Sequence, residues 1–168
     1  MFDGVHYAKA NKKGGFVWGD TSTESEVNCD VVDNRVVVRW LGGIYMFTGG
    51  AMQGSYTGAL LAPGATAWTV TSDRATKDNV RVVDARAVLR KVAAMPIATW
   101  QWKSQDDSIR HMGPMAQDFS AAFGLGETDK GISTVDADGV ALAAIQGLHQ
   151  EVKAKSRQIA QLKRKLQA

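Results

Sequence analysis

The chain has 168 residues, 45% apolar and 22% charged, with seventeen glycines against three prolines; this excludes a disordered polar chain and points to one ordinary domain with a modest core, many turns and an appendage. The formal charge of +3 is unevenly spread: residues 149–168 hold six bases (Lys153, Lys155, Arg157, Lys163, Arg164, Lys165) against Glu151, so that tail carries +5 and the rest of the chain −2. The lone cysteine, Cys29, excludes an intrachain disulfide and a thiolate metal cluster, no apolar stretch is long enough to span a bilayer, and no basic-then-apolar N-terminal run marks a signal peptide.

Residues 1–70 read as short strands and turns. Phe16-Val17-Trp18 is an apolar run closed by Gly19-Asp20, and Arg35-Val36-Val37-Val38-Arg39-Trp40 is β-branched and strand-like. Gly42-Gly43 separates it from Ile44-Tyr45-Met46-Phe47, which Gly49-Gly50 closes. Strands this short are marginal as an isolated sheet, so packing between neighbouring chains is the natural remedy.

Across 71–137 the pattern is mixed. Asp84 is placed to cap a helix through Val88, Leu89, Val92 and Met95 that Pro96 ends. Residues 97–103 alternate as a strand with Trp100 and Trp102 on one face; 104–108 form a polar turn, and 109–112 return as the partner strand. A short helix over 116–123 carries Phe119 and Phe123 on one side and stops at Gly124. Trp100, Trp102, Met112 and Met115 are expected in the core.

Asp136-Ala137-Asp138-Gly139 reads as a turn capping a long helix from residue 140 onward, free of proline and with Gly147 as its one interior glycine. Ile145, Leu148, Val152, Ile159, Leu162 and Leu166 step by 3, 4, 7, 3 and 4, the heptad spacing of a coiled coil, with Lys155 at the skipped core position. Too little core remains to cover such a stripe from within the chain. The Ile/Val and Leu alternation by itself leans toward two strands, so the heptad is not the source of a higher order. The basic end of this helix reads as a solvated face. Nucleic acid and membrane are not expected partners, because no aromatic interleaving or RNP-like motif accompanies the charge.

Chemistry concentrates in Thr71-Ser72-Asp73-Arg74-Ala75-Thr76-Lys77-Asp78-Asn79-Val80. A serine is a weak nucleophile until a nearby base takes its proton. A lysine is a base only when uncharged, a form that burial or nearby positive charge favours. Arg74 and Arg81 supply positive charge; Asp73 and Asp78 oppose it unless they pair elsewhere. The spacing from Ser72 to Lys77 can close across a turn but does not have to, and alone it carries no signal beyond a polar surface loop. His6 and His149 have no convincing ligand partners. No phosphate loop, dinucleotide motif or metal cluster is present, so neither cofactor nor metal is expected.

The string Ser72-Asp73-Arg74-x-x-Lys77-x-Asn79-Val80 resembles the self-cleavage motif of the intramolecular chaperone auto-processing domain, a Ser/Lys peptidase family at the C-terminus of endosialidase-type tailspikes and phage tail fibres. His111-Met112-Gly113-Pro114-Met115-Ala116-Gln117-Asp118 is similar to the family's second block, and Ile132-Ser133-Thr134-Val135-Asp136 through Gly139-Val140 to Ala144-Ile145 to its lead-in to the terminal helix. The blocks stand in the family's order and cover residues 68–148. Thr71 replaces a common leucine, Pro114 enters the second block, and Val80 replaces a usual isoleucine.

The resemblance implies Ser72 as nucleophile, Lys77 as general base and the Ser72–Asp73 bond as the one cut, with Arg74, Asn79, His111 and Gln117 as supporting candidates. Joined to the zones read above, it gives an expected α+β homotrimer in three parts: a β-rich fibre shaft or head over 1–70, which matches the family only in style, a small mixed α/β chaperone domain over 71–137, and a coiled-coil helix over 138–168. The expected partners are two further copies and the N-terminal fibre or tailspike portion of the parent chain. Such a module assembles in the host cytoplasm, and the finished fibre joins the virion tail. The alternative is a trimerisation cap and fibre-tip interaction module that does not cleave.

Overall fold

The computed structural model describes residues 8–9, 16–19, 27–28, 36–51 and 55–167. His6, Asp20, Cys29 and Arg35 lie outside the described residues. The chain divides into two compact units, Met1–Val80 and Arg81–Ala168. Among the described residues small sheets accompany three α-helices, the last of them long.

In the first unit, β1 (Ala8–Lys9) pairs in parallel with β3 (Val27–Asn28), and β2 (Phe16–Gly19) with β4 (Val36–Arg39). The third sheet is antiparallel, in the order β5 (Ile44–Ala51), β6 (Ser55–Leu61), β7 (Thr69–Val70). β5 does not stop at Gly49-Gly50 as expected. A register shift after Phe47 lets pairing resume at Gly49↔Thr57 and continue to Ala51↔Ser55, so the glycines follow a bulge instead of ending the strand. Opposite the shift, a Cβ on Gly58 would run into the Met46 carbonyl; only glycine admits that approach.

None of the described side chains of this unit is fully buried, and Met46, Phe47, Trp68 and Val70 are exposed. A sheet this small is marginal alone and needs a further layer to cover its faces.

The second unit begins with α1 (Ala85–Ala94). The Asp84 carboxylate accepts from the Arg86 and Ala87 amides at 3.0 and 3.1 Å, the N-cap that the sequence proposes. The helix ends at Met95, before Pro96. β8 (Ala98–Trp100) and β9 (His111–Gly113) form an antiparallel hairpin with Trp100 opposite His111. The first strand is shorter than the alternation over 97–103 predicts. Turns closed by Gln105 N to Trp102 O and Ile109 N to Asp106 O take over, and the Gln101 amide donates to Asp107 at 2.9 Å. Ser108 donates to Asp106 through both its amide and its hydroxyl, at 2.9 and 2.6 Å. The Ser108 hydroxyl foremost, then its amide, hold that carboxyl below its ordinary range.

α2 (Ala116–Phe123) has the expected bounds, with Phe119 buried, the Phe119 and Phe123 rings 5.0 Å apart, and Gly124 left-handed at φ 63° as its stop. α3 (Thr134–Leu166) starts earlier than the sequence suggests. Ser133 takes the N-cap position and Asp136 the first turn, where a carboxylate meets the positive end of the helix dipole. The acids read as a turn are therefore helical, and Gly139 joins Gly147 as an interior glycine.

α1 packs on α3 at close range. Val140, Ala144 and Gly147 are buried on the α3 side and Ala85 on the α1 side. A Cβ on Gly147 would run into the Ala85 carbonyl, so glycine there sets how near the helices come. Arg86 crosses beside it, 3.0 Å from Glu151 and donating at 3.3 Å to the Gln150 carbonyl.

A neighbouring face of α3 carries Leu142, Ile145, Leu148, Val152, Ile159, Leu162 and Leu166, all exposed. Trp102, Met112 and Met115 are exposed too, and Trp100 is half-buried, so the expected core placement of these four does not hold within one chain.

Candidate functional site

The first unit builds the Ser72 region from the sheet edge outward. β7 pairs with β6 through Ala59↔Val70 and Leu60↔Thr69, and Thr71 extends the contact by donating its amide to the Gly58 carbonyl at 3.1 Å. The chain then leaves the sheet at Ser72. A 3₁₀ turn over Arg74–Thr76 follows at once. Asp73 caps it, its carboxylate accepting from the Ala75 amide at 2.9 Å. The Thr76 hydroxyl donates to the Asp73 carbonyl at 2.8 Å, and the Lys77 amide donates to the Arg74 carbonyl at 3.2 Å.

This turn brings residue 77 back over residue 72. Lys77 Nζ donates to Ser72 Oγ at 2.6 Å. The distance suits proton transfer in the reverse direction, from hydroxyl to amine, whenever the amine is uncharged. The Asp73 carboxylate is engaged in capping the turn. Both side chains, Ser72 and Lys77, are solvent-exposed.

The supporting candidates divide between the units. Arg74 lies in the turn and contributes its carbonyl to it. Asn79 is the only non-glycine residue with positive φ among those described, at 53°. Asparagine tolerates that conformation, so its visible contribution is to redirect the backbone after Lys77. His111 and Gln117 belong to the second unit. His111 Nε2 is 2.8 Å from Gln105 Oε1, and its ring stacks on Trp100 at 4.7 Å; Gln117 is exposed on the first turn of α2. Among the described residues no group of three His, Cys, Asp or Glu could hold a metal ion, and no helix is long and apolar enough to cross a membrane.

Sequence reasoning missed Tyr45. Its hydroxyl is 3.0 Å from Thr71 Oγ1, and it lines, with Leu60, Val70, Thr71, Asp73 and Thr76, a cleft of about 320 Å³ beside Ser72. No local pattern carries that signal, since the two residues lie 26 apart.

No curated protein and no solved structure matches the chain. Residues 72–124 match the model of a peptidase family described as the chaperone of endosialidase. The match starts at Ser72 and spans the first two sequence blocks; the third block lies beyond it. Over that segment the chain is similar to the chaperone of endosialidase family.

Proposed function

We propose that the chain is an intramolecular chaperone that trimerises, holds a phage-type tail fibre or tailspike in register while it folds, and then cuts itself free at Ser72–Asp73. The observation that carries this reading is the 2.6 Å contact between Lys77 Nζ and Ser72 Oγ at the first residue of the family match.

A three-chain β-fibre depends on non-local and interchain pairing, which is slow and leaves strand edges open. A module that associates first turns that search into a local one at high effective concentration. The uncovered stripe on α3 supports the association step: Ile145, Leu148, Val152, Ile159, Leu162 and Leu166 are all more than half exposed, in a heptad pattern that further copies of the same helix would cover. The exposed faces of the β5–β7 sheet fit the same remedy.

Cleavage needs the Lys77 amine uncharged, and exclusion of water favours that form. In the isolated chain the dyad is exposed, so assembly supplies the exclusion, and cutting reports that folding is complete. In the chemical step Ser72 Oγ adds to a carbonyl carbon while its proton passes to Lys77. The amine of the following residue leaves with a proton from the lysine. Water then hydrolyses the ester, so one peptide bond and one water become a carboxyl group and an amine. A serine hydroxyl reaches its own carbonyl only through a four-membered ring. Cutting Ser72–Asp73 therefore uses the Ser72 hydroxyl of a neighbouring copy, whose own Lys77 serves as base.

The exposure of both dyad side chains favours a second reading, a permanent trimerisation cap and fibre tip in which Ser72 and Lys77 form a surface hydrogen bond. Light scattering on the eluting particle followed by mass spectrometry of the same peak separates the two: the first gives a cut trimer, the second an intact one.

A further inference from the structure

We infer that Tyr45 is a positioning residue for self-cleavage, holding Ser72 in place through Thr71 and tying the cut to the register of β5. The inference rests on the proteolytic reading above and adds a residue that lies outside the family match at 72–124.

The direction of the contact follows from proton counting. Thr71 Oγ1 donates to the Gly58 carbonyl at 3.3 Å. A hydroxyl has one proton to give, so in the 3.0 Å contact between the two hydroxyls Tyr45 donates and Thr71 accepts. Thr71 is thus held at two atoms: its amide and hydroxyl both reach the Gly58 carbonyl, and the hydroxyl is gripped from β5 as well. The Tyr45 ring is itself fixed, stacked on Phe47 with centroids 4.2 Å apart. The residue held this way immediately precedes Ser72, and it is one of the positions at which the sequence departs from the family pattern, a hydroxyl standing where leucine is common.

The consequence is a link between strand pairing and chemistry. Tyr45 pairs with Leu60 across β5 and β6. Because side chains alternate along a strand, a one-residue slip of β5 would carry the Tyr45 hydroxyl to the other face of the sheet. Thr71 would lose its outer anchor, and Ser72 would start from a looser origin. A displacement of about 1 Å at a reacting group is enough to cost roughly a hundredfold in rate. The cut therefore waits for β5 to pair in its native register.

The test follows cleavage of the assembled full-length chain over time in Tyr45→Phe, Thr71→Val, Thr71→Ser and the Tyr45→Phe/Thr71→Val double variant. Thr48→Val is the control, because it removes another cross-strand hydroxyl pair of the same sheet, Thr48 with Thr57 at 3.4 Å. Tyr45→Phe keeps the ring and is expected to slow cutting about tenfold, the worth of one well-placed hydrogen bond. Thr71→Val slows it similarly, Thr71→Ser recovers the loss by restoring the hydroxyl, and the double variant is no slower than the slower single. Thr48→Val cuts at the parental rate. Parental cutting by Tyr45→Phe, or equal slowing by Thr48→Val, would overturn the inference and leave the proteolytic reading standing. A parental chain that never cuts removes that reading, and this inference with it.

Discussion

The backbone of Ala85, the first residue of α1, lies against Gly147 in the middle of α3, so close that no side chain fits between them. The contact explains why α3 keeps a glycine at this point, although glycine costs about 1 kcal/mol in a helix relative to alanine. Gly147→Ala is expected to destabilise the chain despite its better helix propensity. The added methyl must push the helices apart, a type of overpacking that costs roughly 1–3 kcal/mol. Chemical denaturation followed by circular dichroism reads the loss; a stabilised variant would show that the helices separate freely.

The apolar stripe of α3 yields a prediction about assembly. Leu148 and Leu162 are exposed in the single chain, so charging them leaves the fold of one copy unharmed. Leu148→Glu/Leu162→Glu is expected to elute as a folded monomer, with each lost contact worth about 1.5–3 kcal/mol per copy, and to lose cleavage with the assembly. Lys155→Leu fills the skipped core position and is expected to strengthen association while loosening control of the number of strands, the role a lone polar core residue plays. Light scattering at several concentrations reads both.

How much of this was legible in the sequence depended on distance along the chain. The Asp84 cap, α2 with its Phe119 and Phe123 pair and the Gly124 stop all rest on neighbours a few residues apart. Local chemistry writes such features directly. α3 starts before the expected residue 140: Asp and Gly favour turns, yet Asp136 also suits a helix N-terminus; composition alone does not decide between the two. β5 was cut short because two glycines look like an end when the pairing partner is unknown. The grip of Tyr45 on Thr71 depends on strand pairing across 26 residues. Trp102, Met112 and Met115 were assigned to a core that one chain does not build, since hydrophobicity does not distinguish a side chain covered by its own fold from one that is left exposed.

The identity of the new terminus tests the route of attack. Cutting between copies releases a fragment that begins at Asp73. A fragment beginning at Ser72 would instead assign the cut to the Thr71–Ser72 bond, which the Ser72 hydroxyl reaches within its own chain through a five-membered ring. N-terminal sequencing of the C-terminal fragment decides, and mixed particles extend it: a tagged Ser72→Ala chain assembled with parental chains is cut only if the hydroxyl comes from a neighbour.

The most direct test of the serine–lysine pairing is the intact mass of the assembled particle for the parental chain, Ser72→Ala and Lys77→Ala. Removing a general base costs roughly 10²–10⁴ in rate, and both side chains are exposed, so neither variant is expected to disturb folding or association. The account predicts that the parental chain of 168 residues divides into pieces of 72 and 96, while both variants assemble and stay whole. A parental particle that keeps a single undivided mass after prolonged incubation, or a Lys77→Ala particle that divides at the parental rate, would contradict it.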